Sequence, residues 1–405
     1  MATLSPFRAL RPRPADAARV AAVPYDVVST DEARALADDN ALSFLRVSRA
    51  ELELPEGTDP YSDAVYERAA RNFKTLRDGT LIVDQEPSVY IYQLRMGGHV
   101  QVGVGGCFSL DEYDRDIIRK HERTRPDKED DRTRHMLALR AQTGPVFLTY
   151  RADPDVDLIV NRASAGDAVA DFEAPDGVHH TLWRVVGGDR DALVTAFAGI
   201  PALYIADGHH RAASAARARR QLAEQETRHD AEYASFLGVA FPHDQVQILP
   251  YNRIVKDFGP VPPDAFMRAV QDRFDVQAGP AAPVRRGEIA MYFRGQWHTL
   301  RPRARTEPTD TIAALDVTML QEQLLGPVLN IGDVRTDKRI DFVGGARGTA
   351  ELERLVDSGR ATAAFSLYPV SVADLMAVSD AGAIMPPKST WFEPKLRDGL
   401  LIHVI

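Results

Sequence analysis

The chain has 405 residues, 44% of them hydrophobic, with 49 lysines and arginines against 58 aspartates and glutamates, a formal net charge of −9. That length admits two domains, that apolar share excludes a disordered chain, and the acidic balance gives no global attraction for nucleic acid or anionic lipid. A single cysteine, Cys107, excludes an intrachain disulfide and a four-cysteine zinc site.

In chain order, Met1 to Arg13 lacks the apolar run of a secretory signal, and no later stretch reaches the ~18 consecutive apolar residues of a membrane helix. With the cysteine usage, this leads to the expectation of a cytoplasmic protein with no membrane partner. Val20 to Val28 reads as strand and turn, and Ser29-Thr30-Asp31-Glu32 as a helix start. Phe44 to Val47 is predicted as a short strand. Ser62 to Leu76 is predicted as a helix with Tyr66, Ala69, Ala70 and Phe73 on one face, stopped near Asp78-Gly79. Val89 to Leu94 and Val100 to Val104 flank Gly97-Gly98 as a hairpin. Gly103-Val104-Gly105-Gly106 lacks the lysine and serine or threonine of a P-loop and is expected to be a bulge.

Asp111 to Ala141 is densely charged and partly helical, and Val146 to Tyr150 is a strand. Tyr204-Ile205-Ala206 is a buried strand that runs into Asp207-Gly208-His209-His210-Arg211 and then a helix from Ala212 to Ala223, with Arg217, Arg219 and Arg220 expected on its exposed face. Further strands are expected at 236–241, 246–249, 289–293, 297–300, 340–343 and 363–367, with helices at 315–325 and 350–358. The predicted fold class is α/β (or α+β) with mixed sheets. The predicted division is a core with N-terminal elaborations over 1–255, and a smaller α/β subdomain over 256–405 whose tail returns to the cleft.

The segment Leu203 to Ala216 carries the sharpest chemistry. Amides at a helix N-terminus attract anions, and Gly208 lets the backbone approach a ligand without a Cβ. Arg211 can grip a phosphate bidentately, His209 and His210 add donors, and Asp207 can orient a hydroxyl or hold magnesium. The alternative is that Asp207 merely caps the helix and the histidines are structural. A zinc site on His209 and His210 is disfavoured, since neighbouring residues seldom both ligate one metal and no clear partners stand out.

A second cluster is His121-Glu122-Arg123-Thr124, followed by Asp131-Arg132. Glu122 or His121 can serve as general base, Arg132 can bind phosphate, and Thr124 can touch substrate. The alternative is a solvated, charge-laced helix. A bound phosphate needs positive charge around it, which Lys388, Lys395 and Arg397 supply if the tail folds over the cleft, with Ser389 and Thr390 adding hydrogen bonds; the alternative is an ordinary basic surface turn leading into a terminal strand at 400–405. Pro24-Tyr25-Asp26 can present a ring and a carboxylate to a nucleoside or an amino group, or be a strand-end turn. Glu51 is a rival general base.

Ile205-Ala206-Asp207-Gly208-His209-His210-Arg211-Ala212 resembles the phosphate-binding motif of the ParB and sulfiredoxin-like superfamily, which includes the free serine kinases. Nearly the whole chain resembles a prokaryotic family of domain of unknown function 1015. The matching segments are Val23-Pro24-Tyr25-Asp26-Val27, His121-Glu122-Arg123-Thr124, Leu315-Asp316-Val317, Phe342-Val343-Gly344-Gly345 and Met385 to Lys395. The resemblance implies phosphoryl transfer from ATP or ADP, with Mg2+, to the hydroxyl of free L-serine or a similar metabolite. Sulfiredoxins carry a cysteine where this chain has His209-His210, which argues against sulfinic acid reduction. The rival functions are a nucleotide-gated regulatory protein, with a possible homodimer, and a nucleotide hydrolase. No helix-turn-helix or basic DNA-reading segment stands out, so no DNA or RNA partner is expected.

Overall fold

The computed structural model describes residues 1–225, 232–303 and 311–405. It is a mixed α/β protein whose chain divides into two units, one built from Met1–Val246 together with Pro394–Ile405, the other from Gln247–Glu393.

The first unit is organised around a nine-stranded mixed sheet. Its strands are β1 (Leu4–Ser5), β2 (Val89–Met96), β3 (His99–Ser109), β4 (Ile118–Arg119), β5 (Val146–Tyr150), β6 (Ala170–Glu173), β7 (His179–Val185), β8 (Leu203–Asp207) and β9 (Ser235–Pro242). The spatial order is β4-β8-β5-β9-β3-β2-β7-β6, with β1 also paired to β3. Two neighbouring pairs are parallel, β4 with β8 and β5 with β9; the other pairings are antiparallel. Near-continuous apolar runs in β5 and β8 match their burial on both faces.

Three helices matter for the site: α1 (Asp63–Gly79), α2 (Pro126–Leu139) and α3 (His209–Gln225). Ala212, Ala215, Ala216 and Ala218 of α3 lie in the same apolar cluster as Ile205, Leu148 and Phe236. Small side chains let this helix come close to the sheet. Tyr66 of α1 donates to Asp131 of α2 at 2.9 Å, and Ser214 of α3 donates to the Glu129 carbonyl of α2 at 3.2 Å. Arg217 and Arg219 are not simply exposed. Arg217 pairs with Glu129 and Asp130, and Arg219 with Asp111 and Asp114.

The second unit holds a six-stranded, wholly antiparallel sheet, its strands running in the order 274–278, 296–302, 289–293, 363–367, 251–255 and 340–344. The strands at 289–293 and 296–302 pair antiparallel as a hairpin around Arg294-Gly295. No helix among the described residues is long and apolar enough to cross a membrane.

Three local expectations are corrected. Phe44 to Val47 is not a strand: Leu45–Ser48 is a helical turn. The guanidinium of Arg46 donates to the carbonyls of Ala37 and Asn40 and pairs with Glu53, which holds the chain coiled where β-propensity alone favours extension. Val20 ends a short helix, Ala17–Val20, rather than beginning a strand. Gly103 to Gly106 form no bulge, since the register from Tyr90↔Gly105 to Met96↔His99 is unbroken.

Those glycines serve packing. A Cβ at Gly103 would sit 2.8 Å from the Phe241 ring and 2.9 Å from the Ala240 carbonyl. Gly103→Ala is therefore expected to cost about 1–3 kcal/mol through overpacking. A urea midpoint equal to wild type would refute that crowding.

Candidate functional site

Strand β8 is paired on both sides, with β4 in parallel and β5 antiparallel, and its register with β5 shifts between Ile205 and Asp207. The chain then turns at Gly208, whose φ of +95° is readily available only to glycine, and α3 begins. The Gly208 amide donates to Asp207 Oδ1 at 2.9 Å. First-turn amides of α3 have no acceptor within the helix and face the corner with its positive dipole end.

Asp207 is met by two cations, with Lys395 Nζ at 3.2 Å and Arg211 Nη2 at 3.6 Å from Oδ2. Burial pushes its pKa up, but Lys395 and then Arg211 outweigh it and hold the carboxyl below its ordinary range. Burial disfavours the Arg211 charge, while Asp207, Asp26 and Asp398 restore it. Arg211 Nε and Nη1 are buried without a hydrogen-bond partner among the described residues, and so is Oδ1 of Asp398. Arg211 Nη1 and that oxygen lie 3.8 Å apart, beyond hydrogen-bond length.

Beside this corner lies a partly open pocket of about 40 Å³ lined by Tyr25, Arg132, His135, Gly144, Arg211 and Asp398, among others. Arg132 pairs with Asp131 at 2.8 Å and lies over the Tyr25 ring, 4.1 Å from its centroid. Burial, followed by the Asp26 charge, raises the Tyr25 pKa, so the phenol stays neutral. Asp26 itself is exposed.

Asp398 is 3% exposed, and its main chain pairs with Ala22 in both directions. Burial lifts its carboxyl from 3.8 to about 7, against the pull of Arg211. A folded-state pKa above the unfolded value means that the folded protein binds this proton more tightly. The associated stability is complete below about 3.8 and is lost as pH rises towards about 7. Asp398→Asn, which mimics the protonated form, is thus expected to match wild type near pH 4 and to exceed it progressively up to pH 7. Urea unfolding across that range checks this; parallel pH profiles would contradict it.

The second cluster comes together beyond the paired ends of β4 and β8. His121, 1% exposed, and His209, 6% exposed, have rings 4.5 Å apart in an edge-to-face arrangement. The His121 amide donates to His209 Nε2 at 3.4 Å, and the Arg125 amide donates to His210 Nε2 at 3.0 Å. Burial drops the His121 pKa to about 4, opposed by its hydrogen bond to the Ile205 carbonyl, and also holds His209 well below 6.5. His121, Glu122 and His209 each place a possible ligand atom within 4.8 Å of the others, a grouping that adjacency in sequence did not suggest.

Other candidates are placed elsewhere. Thr124 is hydrogen-bonded to Glu129, and Glu51 pairs with Arg49 at 2.6 Å. Arg397 turns to Asp176 and His180. Lys388 and Ser389 belong to the second unit, where the buried Arg253 donates to the carbonyls of Pro387 and Lys388, and Ser389 donates to the Pro386 carbonyl. Asp398 and His135 were missed. Neither lies in a motif, and His135 is marked only by burial and its contact with the Val47 carbonyl.

A family model described as "Protein of unknown function (DUF1015)" matches residues 4–318. No curated protein matches the sequence. Among solved structures, the chain is similar to a variant of free serine kinase in complex with ADP, at 14% identity and a TM-score of 0.37, covering 72% of this chain and 92% of that one. It is also similar to a conserved hypothetical protein from Pyrococcus furiosus, at 14% identity and a TM-score of 0.36, covering 73% and 94%. A third is SbnI with C-terminal truncation from Staphylococcus aureus, at 10% identity and a TM-score of 0.37, covering 73% and 85%. Likenesses this distant assign no activity to the chain.

Proposed function

We propose a phosphotransferase role for this chain, which belongs to the family described as protein of unknown function (DUF1015). In this reading ATP or ADP places its terminal phosphates at the corner formed by Gly208, His209 and Arg211, and a small hydroxyl metabolite, with L-serine as the first to try, accepts the phosphoryl group. The observation that carries the proposal is Arg211, whose Nε and Nη1 are buried donors without partners beside the amino end of α3. A buried cation with donors to spare at a helix N-terminus suits an oxyanion better than any neutral ligand.

Arg211 and Lys395 would stabilise charge spread over the transferred phosphoryl oxygens. The acceptor hydroxyl attacks phosphorus, the bond to the bridging oxygen breaks, and the shorter nucleotide leaves with that electron pair. Glu122, half-buried, takes the hydroxyl proton; burial drops the His121 pKa to about 4, so that imidazole is neutral at pH 7. His210 would add a donor to the phosphates, and Arg132 with Tyr25 and Asp26 would frame the acceptor. Magnesium would neutralise phosphate charge in such a reaction. Asp207 suits it poorly as a direct ligand, because Oδ1 accepts the Gly208 amide and Oδ2 faces Lys395.

The test incubates purified protein with ATP or ADP, Mg2+ and a panel of amino acids and polyols, read by 31P NMR, alongside calorimetry with ATP, ADP and CTP. A phosphorylated acceptor is expected. Binding without transfer would replace the proposal by a nucleotide-gated regulator, release of inorganic phosphate alone by a hydrolase, and no nucleotide binding would end it.

A further inference from the structure

The parallel pairing of β4 with β8 has a geometric result outside the phosphate corner. Ile118 lies against Leu203 and Arg119 against Tyr204, so both chains leave the same edge of the sheet side by side. His121 and Glu122 follow one exit and His209 follows the other. We infer that His121, Glu122 and His209 form a binding site for a transition-metal dication of the zinc class, held by two imidazoles and one carboxylate.

Three features support it. Each residue offers a ligand atom within 4.8 Å of the other two, so modest side-chain rotation closes them on one ion at the roughly 2.0–2.2 Å of zinc–nitrogen and zinc–oxygen bonds. Glu122 sits at a bend in irregular chain, which allows the adjacent side chains at 121 and 122 to converge as they would not in a strand or helix. His121 donates from one ring nitrogen to the Ile205 carbonyl, which fixes the tautomer. Metal-ligating histidines use their second nitrogen in this way.

The His209 lone pair meets only a long 3.4 Å contact with the His121 amide, which an ion would displace. Two nitrogens and one oxygen select zinc, cobalt or nickel over magnesium and calcium, which require mainly oxygen. Three protein ligands also leave a position for water or an anionic oxygen.

The inference does not rest on the phosphotransfer reading, and its test uses no nucleotide. The full chain, stripped with EDTA, is equilibrated with Zn2+ or Co2+ in the presence of excess Mg2+. One Zn2+ or Co2+ per chain is expected by elemental analysis, with a visible Co2+ spectrum typical of four- or five-coordination. Glu122→Gln and His209→Gln are each expected to weaken binding at least as much as the roughly 10–100-fold that loss of an outer-shell partner costs. Sub-stoichiometric metal in wild type overturns the site, and so does unchanged affinity in both variants with native circular dichroism. Should the variants not fold, the wild-type Co2+ spectrum decides, because an octahedral, all-oxygen signature excludes this ligand set.

Discussion

Replacing Arg211 by alanine is expected to weaken ADP or ATP binding by roughly 10–100-fold, following the ~1.5–3 kcal/mol of a hydrogen bond to a charged group. Among the described residues, its guanidinium is the cation that faces both Asp207 and Asp398. Its loss also leaves those carboxylates less compensated. Stability should fall, though by less than the ~3–5 kcal/mol of a fully broken buried pair, because Lys395 still faces Asp207 and Asp398 can take up a proton. Arg211→Lys keeps the charge without the planar fork and should recover stability more than affinity. Calorimetry and urea unfolding on the three proteins separate the two effects. Undiminished nucleotide affinity in Arg211→Ala would remove the phosphate site from this corner.

The second large effect is expected at Gly208. A Cβ there would lie 2.7 Å from Arg211 Nε and 2.9 Å from Nη2, at a φ of +95° that L side chains rarely adopt. Gly208→Ala should therefore cost roughly 1–3 kcal/mol as backbone strain, and more through displacement of the guanidinium. The two contributions can be told apart in a double-mutant cycle. In an Arg211→Ala background the crowding is gone and only the strain remains, so Gly208→Ala should cost less there than in wild type. Equal costs in both backgrounds would show that the glycine is needed for φ alone.

What could be read in the sequence was local. An apolar run at 203–206, one glycine, and an alanine-rich stretch with Arg211 in its first turn define a strand, a corner and a helix without help from elsewhere, and Leu203–Asp207 and His209–Gln225 are found there. Short segments governed by side-chain contacts were harder. Phe44 to Val47 carries the residue types of a strand, and its coil is held by Arg46 reaching carbonyls six and nine places away in structure-determined directions. Juxtapositions across the chain were not legible at all. His121 and His209 are 88 residues apart, and only the parallel pairing of β4 and β8 brings them together. Asp398 shows no motif, and its importance comes from burial beside Arg211 and Gly144, where a Cβ would run into its carboxylate.

The interrupted layout of the first unit bears on how the molecule is made. Pro394–Ile405 complete a unit begun by Met1–Val246, so a ribosome must polymerise all of Gln247–Glu393 before Lys395 and Asp398 exist. Throughout that interval the nascent corner holds Asp207 and Arg211 without the lysine and the acid that later flank them. Translation order therefore separates the building of the sheet from the arming of its charged corner, and a message that stalls in between would yield the scaffold alone.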